Sequence, residues 1–159
     1  MEIEDKKFYF INDDFISTYG EKYSLMENKE SGNKRPCYFC FKDRKNDKIM
    51  WFVPLSTRYD KYKAIYDKKM AKNNREPLNF VFGIVREKKA VFLIQNMFPV
   101  TKKYIIDKYT VNNIDVKLYK ALSEKVIKQA EKVIELTERT KSKITFTNIL
   151  ELKKELLSE

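Results

Sequence analysis

Two adjacent hydroxyl residues, Ser56 and Thr57, follow an apolar run and precede two cations, Arg58 and Lys61. Hydroxyls donate hydrogen bonds to phosphate oxygens and fixed cations balance their charge, so the stretch Val53-Pro54-Leu55-Ser56-Thr57-Arg58-Tyr59-Asp60-Lys61 reads as an anion site. A strand ending there, with a helix starting beside it, would bring loop backbone and helix N–H groups to the same place. The same residues also have a purely structural use, in which Ser56 or Thr57 caps the helix while Arg58 and Lys61 lie in solvent.

Composition narrows the chemistry. The chain has 159 residues with no histidine, so any catalysis falls to Lys, Arg, Tyr, Ser, Thr, Asp or Glu. Its three glycines, Gly20, Gly32 and Gly83, are too few and too scattered for a phosphate loop or a dinucleotide fingerprint. The two cysteines, Cys37 and Cys40, lack the second pair a zinc site needs. In an extended segment they point to opposite faces, as core residues rather than a redox pair. No cofactor and no metal are expected. With no apolar run of membrane-spanning length, no leader pattern and no disulfide framework, the expected setting is a reducing cytoplasm.

The elements that must position the hydroxyls follow from periodicity. Length and an apolar content of 43% predict one domain over 1–159. Residues 8–11 read as a strand, followed by a helix over 14–19 that Asn12 or Asp13 caps and Gly20 ends. Residues 27–34 read as a loop. Residues 37–42 and 49–55 form a hairpin around the polar 43–47 connection, and residues 60–72 an amphipathic basic helix. A second hairpin, 79–86 with 90–97, turns at 87–89, and Pro99 then breaks the strand pattern. Residues 100–116 are ambiguous between extended and short helical structure. Apolar spacings of three and four mark a long helix from Leu118 to Thr137, and a last helix over 146–157 has Thr145 or Thr147 for its cap. Hairpins followed by helices predict an α+β fold with an antiparallel sheet.

The net charge of +10 is uneven. Residues 31–75 carry +9 and hold Tyr38, Phe39, Phe41, Trp51, Phe52, Tyr59, Tyr62 and Tyr66. Cations neutralise phosphates and aromatic faces stack bases, so the window has the composition of a single-stranded nucleic-acid surface. A lysine-rich exterior over an aromatic core would look the same. The lysines at 117, 120, 125, 128 and 132 are offset by glutamates at 124, 131 and 135 and read as a solvated helix face.

Phe8-Tyr9-Phe10-Ile11, Arg35-Pro36-Cys37-Tyr38, Pro54-Leu55-Ser56-Thr57 and Gln95-Asn96-Met97-Phe98-Pro99-Val100 occur in one order along nearly the whole chain. Together they resemble the toxins of type III toxin-antitoxin systems, the ToxN/AbiQ group and its CptN-like branch. The resemblance implies a compact, barrel-like antiparallel core with surrounding helices, MazF/Kid-like, and a sequence-selective, metal-independent endoribonuclease acting on cellular mRNA. It also implies an antitoxin RNA of pseudoknot repeats, processed and bound over the active site, with which the toxin closes a cyclic hetero-oligomer. The implied role is growth arrest or abortive phage infection, with no membrane.

Carried onto this sequence, the resemblance places the catalytic hydroxyls at Ser56 and Thr57. It places the catalytic lysine at Lys61, with Arg58 as its rival. A basic RNA contact falls on Lys34 or Arg35, with Tyr59 near the hydroxyls, and an N-terminal contact around Asn12 and Phe15. Such an enzyme would drive the ribose 2′-hydroxyl onto the adjacent phosphorus, leaving a 2′,3′-cyclic phosphate and a 5′-hydroxyl. The competing reading is an RNA-binding module without catalysis, in which the hydroxyl pair is only a helix cap.

Overall fold

The computed structural model describes residues 1–141 and 143–159. Along them run β1 (Phe8–Ile11), α1 (Asp13–Tyr23), β2 (Lys29–Glu30), β3 (Asn33–Lys34), β4 (Cys37–Lys42), β5 (Met50–Ser56), α2 (Tyr59–Asn73), β6 (Phe80–Val85) and β7 (Lys88–Leu93). Then come β8 (Phe98–Val100), β9 (Ile105–Lys108), β10 (Thr110–Val111), β11 (Ile114–Asp115), α3 (Lys120–Thr140) and α4 (Ile149–Leu157). The fold is α+β, and its main sheet pairs β6-β7-β5-β4-β1-β9, antiparallel throughout. β6 and β9 are the two ends of that order.

β5 is the strand the rest is built on. Its apolar run Met50-Trp51-Phe52-Val53-Pro54-Leu55-Ser56 is buried along its whole length, as a strand covered on both faces must be. β4 pairs along one edge. The other edge is shared: β8 takes Met50, Trp51 and Phe52, and β7 takes Leu55 and Ser56. Val53 and Pro54 fall between those two partners, so the N–H that Pro54 lacks is not missed on that edge.

Pro99, expected to end the strand pattern, instead sits inside β8 opposite Trp51. β8 has β5 as its single partner, and such an edge position tolerates a proline. A short tight helical turn, Ile94–Asn96, separates β8 from β7. The β6–β7 hairpin turns at Arg86 and Glu87, both at positive φ, one register earlier than the charge pattern implied.

The helices close the core. α1 buries Phe15, Tyr19 and Tyr23, one side of a helix at four-residue spacing. It passes through Gly20 and ends at Ser24, whose backbone N–H donates to the Gly20 carbonyl. Burial of Tyr23 and its hydrogen bond to Glu155 of α4 outweigh the helix penalty of a glycine, about 1 kcal/mol. α3 buries Ser123, Val126, Ala130, Val133, Ile134 and Thr137, and α4 buries Ile149, Leu152 and Leu156. α4 starts later than expected, because Asn148 rather than Thr145 or Thr147 accepts from the Glu151 N–H. Thr145 and Thr147 are buried instead. The ambiguous 100–116 region contains β9 and a two-strand hairpin turning at Asn112-Asn113.

Cys37 and Cys40 are free and buried, since β4 is covered on both faces over these positions. Burial pushes the Cys37 thiol up to about 12 and the Cys40 thiol higher still. Both act as small apolar residues.

Candidate active site

α2 packs through a separate, thinner cluster. Tyr62 is its one buried residue and meets Phe80, Val91 and Leu93, with Tyr59, Ile65, Tyr66 and Phe82 around them. This arrangement lays α2 against the β6–β7 hairpin and fixes its first turn beside the end of β5. Ser56 is the last residue of β5, opposite Val91, and is buried. Thr57 is exposed in the link to α2. The Ser56 hydroxyl accepts the Arg58 N–H at 3.1 Å, a turn just ahead of the helix; Arg58 is itself the cap residue of α2 and no side chain caps that helix, so neither hydroxyl has the capping use expected for it.

The segment expected to be a loop is a small hairpin. β2 and β3 pair Glu30 with Asn33 and Lys29 with Lys34 around Ser31 and Gly32, both at positive φ. Two such positions are what a tight two-residue hairpin turn requires, and glycine adopts one without strain. Asn28 ties the base of the hairpin to the start of α1, donating to the Ile11 carbonyl at 2.6 Å and to Asp13 at 3.1 Å.

The hairpin carries Glu30 onto the hydroxyl pair. Glu30 Oε2 accepts from Ser56 Oγ at 2.6 Å and from Arg35 Nη1 at 2.8 Å. Glu30 Oε1 accepts from the Thr57 backbone N–H at 2.8 Å and from Thr57 Oγ1 at 2.6 Å. Burial opposes ionisation of this carboxyl, but the bonds from Ser56, Thr57 and Arg35 outweigh it and hold the pKa down at about 2. A carboxylate so stabilised is a weak base. It marks the spot as one that favours an anion.

Arg35 is the fixed charge of the site. Its side chain is 6% exposed, and the guanidinium also donates to the Leu55 carbonyl at 2.9 Å, the Glu27 carbonyl at 3.1 Å and the Lys29 carbonyl at 3.4 Å. Of the pair Lys34 and Arg35, the structure brings Arg35 to the hydroxyls and leaves Lys34 exposed on β3. Arg58 and Lys61 are both exposed at the start of α2, and among the described residues neither side chain makes an ion pair. Lys61 Nζ lies 5.2 Å from the centre of the Tyr62 ring. Tyr59 is half-buried, edge-on to Phe82, with Lys89 Nζ 5.1 Å from its ring centre. Lys63 sits in the same way over Tyr66 at 4.5 Å and Phe82 at 5.4 Å. Cations over ring faces continue along α2 away from the hydroxyls.

Of the two N-terminal candidates, burial removes Phe15, while Asn12 has a structural use. Phe15 is fully buried against Tyr19, Phe98 and Tyr104, so its ring supports α1 and has no face to offer an RNA. Asn12 caps α1 by accepting the Asp14 N–H at 2.8 Å. The resemblance placed an N-terminal contact around both residues; four-residue spacing with Tyr19 and Tyr23 puts Phe15 on the buried side of α1 instead. Glu30 is the residue the sequence reading missed. Its signal was the dipeptide Ser31-Gly32 between short polar flanks, a two-residue hairpin pattern without apolar alternation.

Among the described residues no three His, Cys, Asp or Glu side chains gather as a metal site would need. Among the described residues no helix is long and apolar enough to cross a membrane.

No protein-family model matches the sequence, and no curated relative does. Solved structures do. A structure from work on bacterial type III toxin-antitoxin systems, concerning selective toxin inhibition by a non-coding RNA pseudoknot, superposes with a TM-score of 0.70 at 19% identity, covering 98% of both chains. AbiQ, a lactococcal anti-phage endoribonuclease of a type III toxin-antitoxin system, gives 0.71 at 19% identity and 97% of both chains. A structure from a bacterial antiviral system regulated by a processed non-coding RNA gives 0.66 at 16% identity, over 96% of this chain and 98% of the other. These likenesses establish a shared fold over nearly the full length of each chain.

Proposed function

We propose that residues 1–159 act as one endoribonuclease domain, the toxin of a type III toxin-antitoxin system. The observation that carries this reading is the convergence of Ser56, Thr57 and buried Arg35 on the Glu30 carboxylate, an anion of the chain itself, at the head of a basic, aromatic helix. The fold shared with three solved structures, two from type III toxin-antitoxin systems and one from a bacterial antiviral system regulated by a non-coding RNA, supports it.

In this reading Ser56 Oγ, Thr57 Oγ1 and the Thr57 N–H hold the non-bridging oxygens of the scissile phosphate, with Arg35 balancing its charge. The ribose 2′-oxygen attacks phosphorus as its proton is taken up, the P–O5′ bond breaks, and a proton passes to the leaving O5′. Lys61 is the candidate for that proton traffic and Arg58 its rival. An RNA lying over the first turn of α2 would exclude water from either cation. The products are a 2′,3′-cyclic phosphate and a 5′-hydroxyl, with no metal required. Lys34 and Tyr59 would contact flanking nucleotides.

The inhibitor would be an RNA of pseudoknot repeats, cut by the enzyme and retained at the site. Toxin and RNA would form a cyclic complex, with growth arrest or aborted phage infection following its loss. Incubation of the protein with RNA in EDTA, followed by end-group analysis, tests the reading. Cyclic phosphate ends that vanish in Ser56→Ala are expected; 5′-phosphate ends would overturn it. A binding module without catalysis is the second reading, favoured by the hydroxyls being bonded already to Glu30. It predicts RNA binding with no cleavage under any condition.

A further inference from the structure

Both Glu30 oxygens are fully engaged, each by two donors, and three of the four donor bonds come from the hydroxyl pair's own segment. A phosphodiester presents the same pattern, one negative charge shared over two oxygens, to the same donors. We propose that the Glu30 carboxylate occupies the seat of the substrate phosphate, so that RNA enters only when the β2–β3 hairpin lifts Glu30 out. The proposal rests on the ribonuclease reading of this site.

Two anions cannot share the seat. A carboxylate left within reach of a bound phosphate would meet like-charge repulsion in a poorly solvated site. The hairpin is also built to release. Each strand is two residues long, it pairs with no strand of the main sheet, and Lys29 and residues 31–34 are exposed. An isolated two-stranded hairpin has little stability of its own. Its base is tied by Asn28 to the start of α1 and by Arg35 to the Glu27, Asn28 and Lys29 carbonyls, so the Glu30 side chain is what draws the remaining tip over the hydroxyls and the movement needed is a swing about that base.

Arg35 behaves differently. Its bonds to the carbonyls of Leu55 and Glu27 do not depend on Glu30, so the guanidinium stays in place when the carboxylate leaves. The emptied seat would then hold a buried, uncompensated cation beside three hydrogen-bond donors, which is a strong demand for a new anion.

The test measures binding of a fluorescein-labelled 2′-O-methyl oligoribonucleotide, which cannot be cleaved, to the full chain. Glu30→Gln removes the charge, and Glu30→Asp shortens the arm that reaches the seat. Both variants are expected to bind at least tenfold more tightly than wild type and to cleave unmodified RNA faster at low substrate. Wild-type or weaker binding in both would overturn the proposal, as would lost cleavage with unchanged binding, which would make Glu30 a positioning residue.

Hydrogen exchange on the wild type covers the case in which neither variant folds. Saturating oligonucleotide should reduce protection of the Glu30 and Asn33 amides, and unchanged protection counts against displacement. If the variants bind more tightly but no protein cleaves RNA, the nuclease reading fails and the displaced carboxylate stands. If wild type cleaves and the variants bind no better, the reverse holds.

Discussion

The Arg35 guanidinium donates to the carbonyl of Leu55, the residue immediately before Ser56, at 2.9 Å. The cation of the candidate site is thereby bolted to the strand that carries its hydroxyls, and the loop segment 27–30 is held by the same side chain. Arg35→Ala should therefore destabilise the fold by about 3 kcal/mol, because it strips a buried carboxylate of its partner. Arg35→Lys keeps the charge but loses the planar fork that reaches three carbonyls and the Glu30 carboxylate at once. Urea denaturation is expected to rank wild type above Lys above Ala, with RNA cleavage lost in both variants.

Arg58 and Lys61 can be separated by salt dependence. Each cation that touches a phosphate of a single strand contributes about 0.7 to the slope of log Kd against log salt. Arg58→Ala and Lys61→Ala should each lower the slope by that amount if they contact RNA. The catalytic one should in addition lose at least a hundredfold in kcat with little change in binding. Single-turnover cleavage with binding measured in parallel assigns the role.

Acid should weaken the fold as the Glu30 carboxylate takes up its proton. Glu30 ionises near pH 2 in the folded chain and near the ordinary value of 4.5 when unfolded, so its contribution is complete above about pH 5 and is lost as pH falls toward 2. The shift corresponds to roughly 3 kcal/mol. Asp43, which accepts from Trp51 Nε1 at 2.9 Å and pairs with Lys153 of α4 at 2.9 Å, is also held below its usual range and adds to the same limb. Stability measured from pH 7 to pH 2 should fall less steeply in Glu30→Gln than in wild type.

Gly83 of β6 faces Leu122 of α3 so closely that an added Cβ would lie 2.5 Å from Leu122 Cδ2. Gly83→Ala is expected to cost about 1–2 kcal/mol, moderated by the freedom of a half-buried leucine to turn away. Combined with Leu122→Ala, the substitution should cost clearly less than it does alone. A double-mutant cycle by thermal melting reads the coupling.

Neither thiol should react in the native state. Cys37 and Cys40 are buried and their thiols are pushed well above the usual range by burial, so both stay protonated and shielded. Labelling with a thiol reagent should proceed at the unfolding rate, and fast labelling of either would contradict their place in the core.

Much of the core was legible because periodicity follows directly from burial. β1, β4 and the long α3 register, with Val126, Ala130 and Val133 inward, needed no knowledge of partners. Misreadings cluster where a neighbour overrules a local signal. Gly20 stays helical because Tyr23 is anchored on α4, and Pro99 stays in a strand because β8 needs pairing on one side alone.

The residue types and order around Val53–Lys61 determined that hydroxyls and cations would gather at a strand end, and the missing histidine determined which chemistry was open to them. Only the tertiary structure decided which cation joins them and what sits between. Arg35 and Ser56 are far apart in sequence, and pairing of β4 with β5 brings them together. Glu30 reaches them through a two-residue hairpin whose polar flanks carry no periodic signal. Local sequence encodes burial and turn preference, whereas the meeting of three segments at one anion depends on strand register, which emerges only when the whole sheet packs.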